Sequence, residues 1–136
     1  MSEVQQTITI NCSAKEAFDS AIDPNNTHKW VEGVVYEEAN ESPAKLGTIY
    51  KNQSTDGSWI ELEVTAFEPG SMFEMTKKGD STHVRYTFSP VNDNQCELEY
   101  YVWIENGEVS ERFSRANIQK ILDKLKEVIE KLYAAS

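Results

Sequence analysis

The sequence predicts an α+β chain: one strand and two short helices, then a six-strand antiparallel meander, then a long C-terminal helix. Three observations carry this. Residues 31–105 alternate β-branched or aromatic residues with polar ones between turn-forming pairs. Residues 109–134 contain no Gly or Pro and are rich in Lys, Glu, Leu and Ile. Residues 4–12 alternate with a period of two and run straight into a helix-start signal.

In that first strand Val4, Ile8 and Ile10 share one face, against Thr7, Thr9 and Asn11. Ser13-Ala14-Lys15-Glu16 matches the capping box, in which a Ser hydroxyl and a Glu carboxylate each satisfy one orphan amide. Ala14, Ala17, Phe18, Ala21 and Ile22 follow at helical spacing, so a short amphipathic helix is expected over 13–22. Asp23-Pro24 offers a cap and a first-turn proline, predicting a second short helix that ends near Trp30.

The meander breaks at Ser42-Pro43 with Gly47, at Asp56-Gly57, Pro69-Gly70 and Gly79-Asp80, and at Asn92-Asp93-Asn94. Strands are expected over 31–39, 47–55, 58–68, 71–78, 82–90 and 95–105. One face is apolar: Ile60, Leu62, Val64 and Ala66, then Val84, Tyr86 and Phe88, then Leu98, Tyr100, Val102 and Ile104. The other carries Glu61, Glu63, His83, Arg85, Glu97 and Glu99, with Tyr101 and Trp103 as aromatic exceptions. A seven-stranded antiparallel sheet with one wet and one covered face reads this way. On the long helix, Ile118, Ile121, Leu125, Val128, Ile129 and Leu132 form one stripe, which continues backwards into Asn117, Ser114 and Ser110.

Length and charge narrow the function. At 136 residues the chain is expected to form one domain with a packed core. Its 13 Lys and Arg against 23 Asp and Glu leave a formal net charge of -10, so phosphate backbones and anionic bilayers meet a repelling average field. No apolar run approaches the ~20 residues of a spanning helix, and MSEVQQTITI has neither a basic region nor an apolar signal core. The expectation is a cytoplasmic protein without nucleic-acid or membrane-inserted partners. Cys12 and Cys96 are too far apart in sequence to form a short-spaced metal pair and are read as free thiols.

A single helix fills a seven-strand sheet only if its side chains are large throughout, and this one turns small and polar at its start. A hollow is therefore expected there, with Ser110, Ser114 and Asn117 facing water or a ligand, because a buried hydroxyl or amide without a partner costs about 1–3 kcal/mol. A frayed, exposed helix start is the plain alternative.

The element order resembles the helix-grip fold of the START-like (SRPBCC) superfamily, in particular its polyketide cyclase/dehydratase and lipid-transport branch. The carriers are ITINCSAKEAFDSAIDPNNTHKW, the Gly47-Thr48-Ile49-Tyr50 strand start, VTAFEPGSMFEM and HVRYTFSP. The resemblance implies a sheet wrapped around the last helix and a cavity for a hydrophobic small-molecule ligand. It places Trp30 against the cavity wall and projects Tyr50, Phe73, Met75, Tyr86, Phe88 and Tyr100 inward. Each of these aromatics, taken singly, is equally well read as core. The resemblance also pairs the first and last strands, bringing Cys12 and Cys96 close, while Tyr101 and Trp103, outward by parity, leave a homodimer surface open.

No chemistry-bearing motif accompanies the architecture. His28 and His83 have no companion at metal-ligand spacing, and there is no nucleophile elbow or phosphate-cradling loop. A cyclase-like enzyme would draw on Tyr50, Tyr86 and Tyr100, whose phenols donate hydrogen bonds but are not bases at neutral pH. Binding is favoured over turnover, with no catalytic residue and no cofactor assigned. An interaction module resembling the chaperone-ATPase activators is the other class, with Tyr101 and Trp103 as its marker.

Overall fold

The computed structural model describes residues 3–31, 33–79, 81–105, 107–110 and 113–133. Its elements are β1 (Glu3–Ile10), α1 (Ala14–Ile22), one 3-10 turn (Thr27–Lys29), β2 (Val34–Ala39), β3 (Ile49–Ser54), β4 (Trp59–Glu68), β5 (Met72–Lys77), β6 (Thr82–Asn92), β7 (Gln95–Ile104) and α2 (Arg115–Tyr133). The strands form one antiparallel sheet in the order β1-β7-β6-β5-β4-β3-β2. β2 to β7 follow one another as a meander, while β1 pairs with the last strand, Glu3 opposite Trp103 and Ile10 opposite Cys96. This is the expected seven-stranded α+β architecture of the helix-grip type.

The capping box closes as expected. Ser13 Oγ accepts from the Glu16 amide at 3.1 Å, and Glu16 Oε1 accepts from the Ser13 amide at 3.1 Å. α1 then buries Ala17, Phe18, Ser20 and Ala21. Phe18 sits edge-on to Phe67, Phe73 and Phe88 at centroid distances of 5.8, 5.7 and 6.2 Å, which locks the helix over the inner face of the sheet.

The expected second short helix is only the single 3-10 turn. Asp23 Oδ1 accepts from the Asn25 amide at 2.9 Å and the Asn26 amide bonds back to the Asp23 carbonyl at 3.1 Å, so Asp23 builds a tight turn instead of capping an α-helix.

The long helix also starts later than residue 109. Ser114 Oγ accepts from the Asn117 amide at 3.3 Å, and the Ile118 amide bonds to the Ser114 carbonyl at 2.9 Å, making Ser114 the cap of a helix beginning at Arg115. Absence of Gly and Pro does not extend a helix past a residue that competes for its amides. The fully buried row is Ile118, Leu122, Leu125 and Ile129, packed on Ile10, Leu98, Val102 and Phe88. Each of these four aliphatic side chains contributes roughly 1.5–3 kcal/mol through burial. Leu132, expected in the stripe, is 49% exposed, because it lies in the last turn and off the centre line that Leu122 defines.

The outer face is less wet than its parity implies. Glu74 Oε1 accepts from Arg85 Nη2 at 2.7 Å and Nε at 3.1 Å, and Thr65 donates to Glu74 Oε2 at 2.7 Å. His83, expected to be solvated, stacks on Trp103 at 4.7 Å and keeps only 14% of its side chain exposed. Trp103 in turn stacks on Tyr101 at 4.8 Å and lies under the Arg85 guanidinium at 5.1 Å.

Cys12 and Cys96 are free, buried thiols. Cys12 Sγ donates to the Ser13 carbonyl at 3.5 Å, and the neighbouring Cys96 together with burial pushes the Cys12 thiol far up.

Candidate functional site

A β-bulge creates the polar end of the site. The β2–β3 register slips between Val34 and Tyr36, so two residues of β2 oppose one of β3. Tyr36 is thereby turned outward, 48% exposed, while Glu37 joins Val34 on the buried side, directly opposite Asn52. The 3-10 turn brings Thr27 to the same place.

Glu37 is 6% exposed, and two donors hold it: Thr27 Oγ1 to Oε1 at 2.5 Å and Asn52 Nδ2 to Oε2 at 3.2 Å. Desolvation by burial dominates over these bonds and raises the Glu37 carboxyl above its ordinary value. Asn52, itself 5% exposed, leaves Oδ1 without a hydrogen-bond partner.

Glu37 and Asn52 line a hollow of about 290 Å³ between the inner face of the sheet, the 3-10 turn and the start of α2. Its apolar walls include Val31, Val34, Ile60, Leu62, Phe73, Met75, Val84, Phe113 and Ile121. Tyr86 and Tyr100 add phenols, Tyr86 stacked on Phe73 at 4.6 Å and edge-on to Tyr100 at 5.0 Å. Burial first, then the nearby Tyr100 and Glu37, push the Tyr86 phenol well above its usual range. The Trp30 indole N–H has no acceptor in good hydrogen-bond geometry, yet lies near enough to the Tyr86 hydroxyl to favour its ionised form slightly. Chemically, the hollow presents hydrocarbon, two phenols, the Lys77 side chain and one corner rich in acceptors.

A family model for polyketide cyclase / dehydrase and lipid transport matches residues 1–130. This chain belongs to that family. A conserved protein from Geobacillus kaustophilus superposes with a TM-score of 0.72 at 18% identity, covering 96% of this chain and 96% of that one. The Aha1 dimer from Colwellia psychrerythraea gives 0.71 at 16% identity, over 96% and 97% of the two chains. A point mutant of Thalictrum flavum norcoclaurine synthase, in complex with a transition-state analogue, gives 0.65 at 9% identity over 95% and 94%. No curated protein matches in sequence. At these identities the solved structures establish the START-like fold alone, as the element order implies.

In this polyketide cyclase-like chain the residues singled out from sequence divide among several places. Phe73, Met75, Tyr86, Tyr100 and Ser110 line the hollow. Trp30 and Asn117 face a neighbouring groove with His28, Lys29, Lys120 and Lys124, which shares Val31 and Ile121 with the hollow. Phe88, 1% exposed, packs beneath Phe18. Tyr50 is fully buried and donates its hydroxyl to the Ile22 carbonyl at 2.5 Å, which satisfies the C-terminal end of α1. Ser114 caps α2.

Glu37, Asn52, Thr27, Lys77 and Thr82 are the polar lining residues that sequence reasoning missed. Strict alternation along residues 34–37 sets Glu37 opposite in parity to Val34, and only the bulge reverses it. The one available hint was a polar Asn52 within the Ile49–Ser54 strand, on the same parity as Tyr50. Among the described residues no group of three or more His, Cys, Asp or Glu could hold a metal ion, and no helix is long and apolar enough to cross a membrane.

Proposed function

We propose that this chain binds a small, mostly apolar molecule in the hollow between the sheet and α2. The observation that carries the reading is the composition of the hollow: apolar walls along most of its surface, and one corner where the buried Glu37 and Asn52 leave acceptor capacity unused. Small-molecule sites commonly combine such walls with a few fixed polar groups.

Native mass spectrometry of freshly purified protein and a thermal-shift screen of hydrophobic metabolites test it. A ligand at a hundred times its Kd stabilises the folded state by about 2.7 kcal/mol. Filling the hollow with Met75→Trp should remove that response while the protein stays folded. Finding neither a copurified ligand nor a stabilising compound, or an unchanged response in Met75→Trp, overturns the proposal.

A second reading, turnover by acid–base chemistry, is favoured by one observation: a carboxyl raised by burial holds its proton more tightly than an exposed one and so is suited to proton transfer. A ligand found by the screen that is chemically altered over time by the natural chain, but not by Glu37→Gln, establishes that reading. An unaltered ligand leaves binding as the function.

A further inference from the structure

We infer that the hollow is built for molecules carrying a protonated amine on an apolar body, with the ammonium seated between Glu37 and Asn52. This rests on the small-molecule reading above and adds the chemical class.

The argument is a count of hydrogen-bonding capacity. Each carboxylate oxygen accepts about two bonds. Glu37 Oε1 receives one, from Thr27, and Oε2 receives one, from Asn52 Nδ2. Asn52 Oδ1 receives none, although the residue is 5% exposed. The corner therefore offers at least one open acceptor site on each of three oxygens, one on each Glu37 oxygen and two on Asn52 Oδ1, and an ammonium group supplies three donors to meet them. A neutral alcohol supplies one donor, and a carboxylate supplies none while meeting Glu37 as a like charge.

Charge points the same way. Among the described residues no cation pairs with Glu37, and the bonds a buried carboxylate makes with a cation are shorter and stronger than neutral ones. Among the described residues, those seen to bond or act on Glu37 are Thr27, Asn52 and the phenols of Tyr50 and Tyr86, all uncharged at neutral pH. Lys77 also lines the hollow, from β5, three strands away from β2 in the sheet, and no ion pair joins it to Glu37. The walls nearer the corner, Val34, Ile60 and Val31, are hydrocarbon and suit the body of the ligand.

The test is calorimetric titration with three probes of one shape and different charge: 2-phenylethylamine, 2-phenylethanol and 3-phenylpropionate. At pH 8 the amine is expected to bind at least tenfold more tightly than the alcohol, and the acid most weakly. Amine affinity should fall as the pH is lowered and Glu37 takes up a proton and loses its charge, while alcohol affinity stays level. Glu37→Gln, which keeps the shape, should cost the amine at least tenfold and leave the alcohol within about threefold. Equal affinities for the three probes, or tighter binding of the acid, overturn the amine assignment and leave the hollow as a binding site. Failure of all three probes to bind, at millimolar concentration, overturns the amine assignment; whether the small-molecule reading falls with it is decided by the separate metabolite screen. The probe series on the natural chain needs no variant, so a poorly folding Glu37→Gln does not shield the inference.

Discussion

Replacing Tyr50 by Phe removes one hydroxyl and separates two roles for that residue. In the structure the phenol is fully buried and donates to the Ile22 carbonyl at 2.5 Å. Ile22 is the last residue of α1, where carbonyls have no intrahelical donor. Phe fills nearly the same volume, so the change leaves little cavity and the cost is that of stranding an acceptor, about 1–3 kcal/mol. Unfolding entropy near 2.1 cal/mol/K per residue gives about 0.29 kcal/mol/K for 136 residues, so Tm should drop by about 4–10 °C. Burial, then Glu37 and Asp23, hold the Tyr50 phenol above its ordinary value, so the hydrogen bond and the difference in Tm should persist into mildly alkaline solution. Circular-dichroism melts of both proteins measure the drop, and titration with 2-phenylethylamine should give the same affinity within about twofold, because Tyr50 does not line the hollow. A variant that melts within about 1 °C of the natural chain, or that keeps its stability and loses the ligand, refutes the assignment of this hydroxyl to the helix end.

Phe18→Ala takes away the ring that meets Phe67, Phe73 and Phe88, and should destabilise by about 3–5 kcal/mol, read as a lower urea midpoint with the slope retained; a loss below about 1 kcal/mol would mean the three contacts are not holding α1. Glu37→Gln should change the pH dependence of stability. The folded-state carboxyl is raised above its value of 4.5, so the folded chain binds the proton more tightly than the unfolded chain, and stability falls as pH climbs from the unfolded through the folded value. Gln stays neutral, and the Asn52 amide can turn its unpartnered oxygen towards the new NH₂ group, so the variant should gain on the natural chain between pH 4 and pH 8; parallel stability curves across that range would contradict a desolvated Glu37.

The parts of the fold that were legible in the sequence are those written in local chemistry. Ser13 and Glu16 sit at capping-box spacing and form it; Asp56-Gly57 and Pro69-Gly70 separate strands that form hairpins. Ser114 was legible as a small polar residue but not as a boundary, because a run without Gly or Pro does not show which Ser will compete for the helix amides. Glu37 was hidden for a different reason. Parity carries a side chain to one face only while the ladder is regular, and a bulge is set by the pairing of two strands, not by either strand's own composition. Tyr50 was correctly read as inward, yet its hydroxyl went to a backbone carbonyl, a partner distant in sequence that no pattern along β3 could reveal.

The pairing of β1 with β7 has a consequence for how the molecule comes into being. A polypeptide is made from its amino end, and domains settle as they emerge. Here the opening ribbon has no neighbour to zip against until the seventh has left the ribosome, so closing that loop bears the entropic cost of the whole intervening hairpin array. Until then its apolar residues, Val4, Ile8 and Ile10, are without the strand they pair beside.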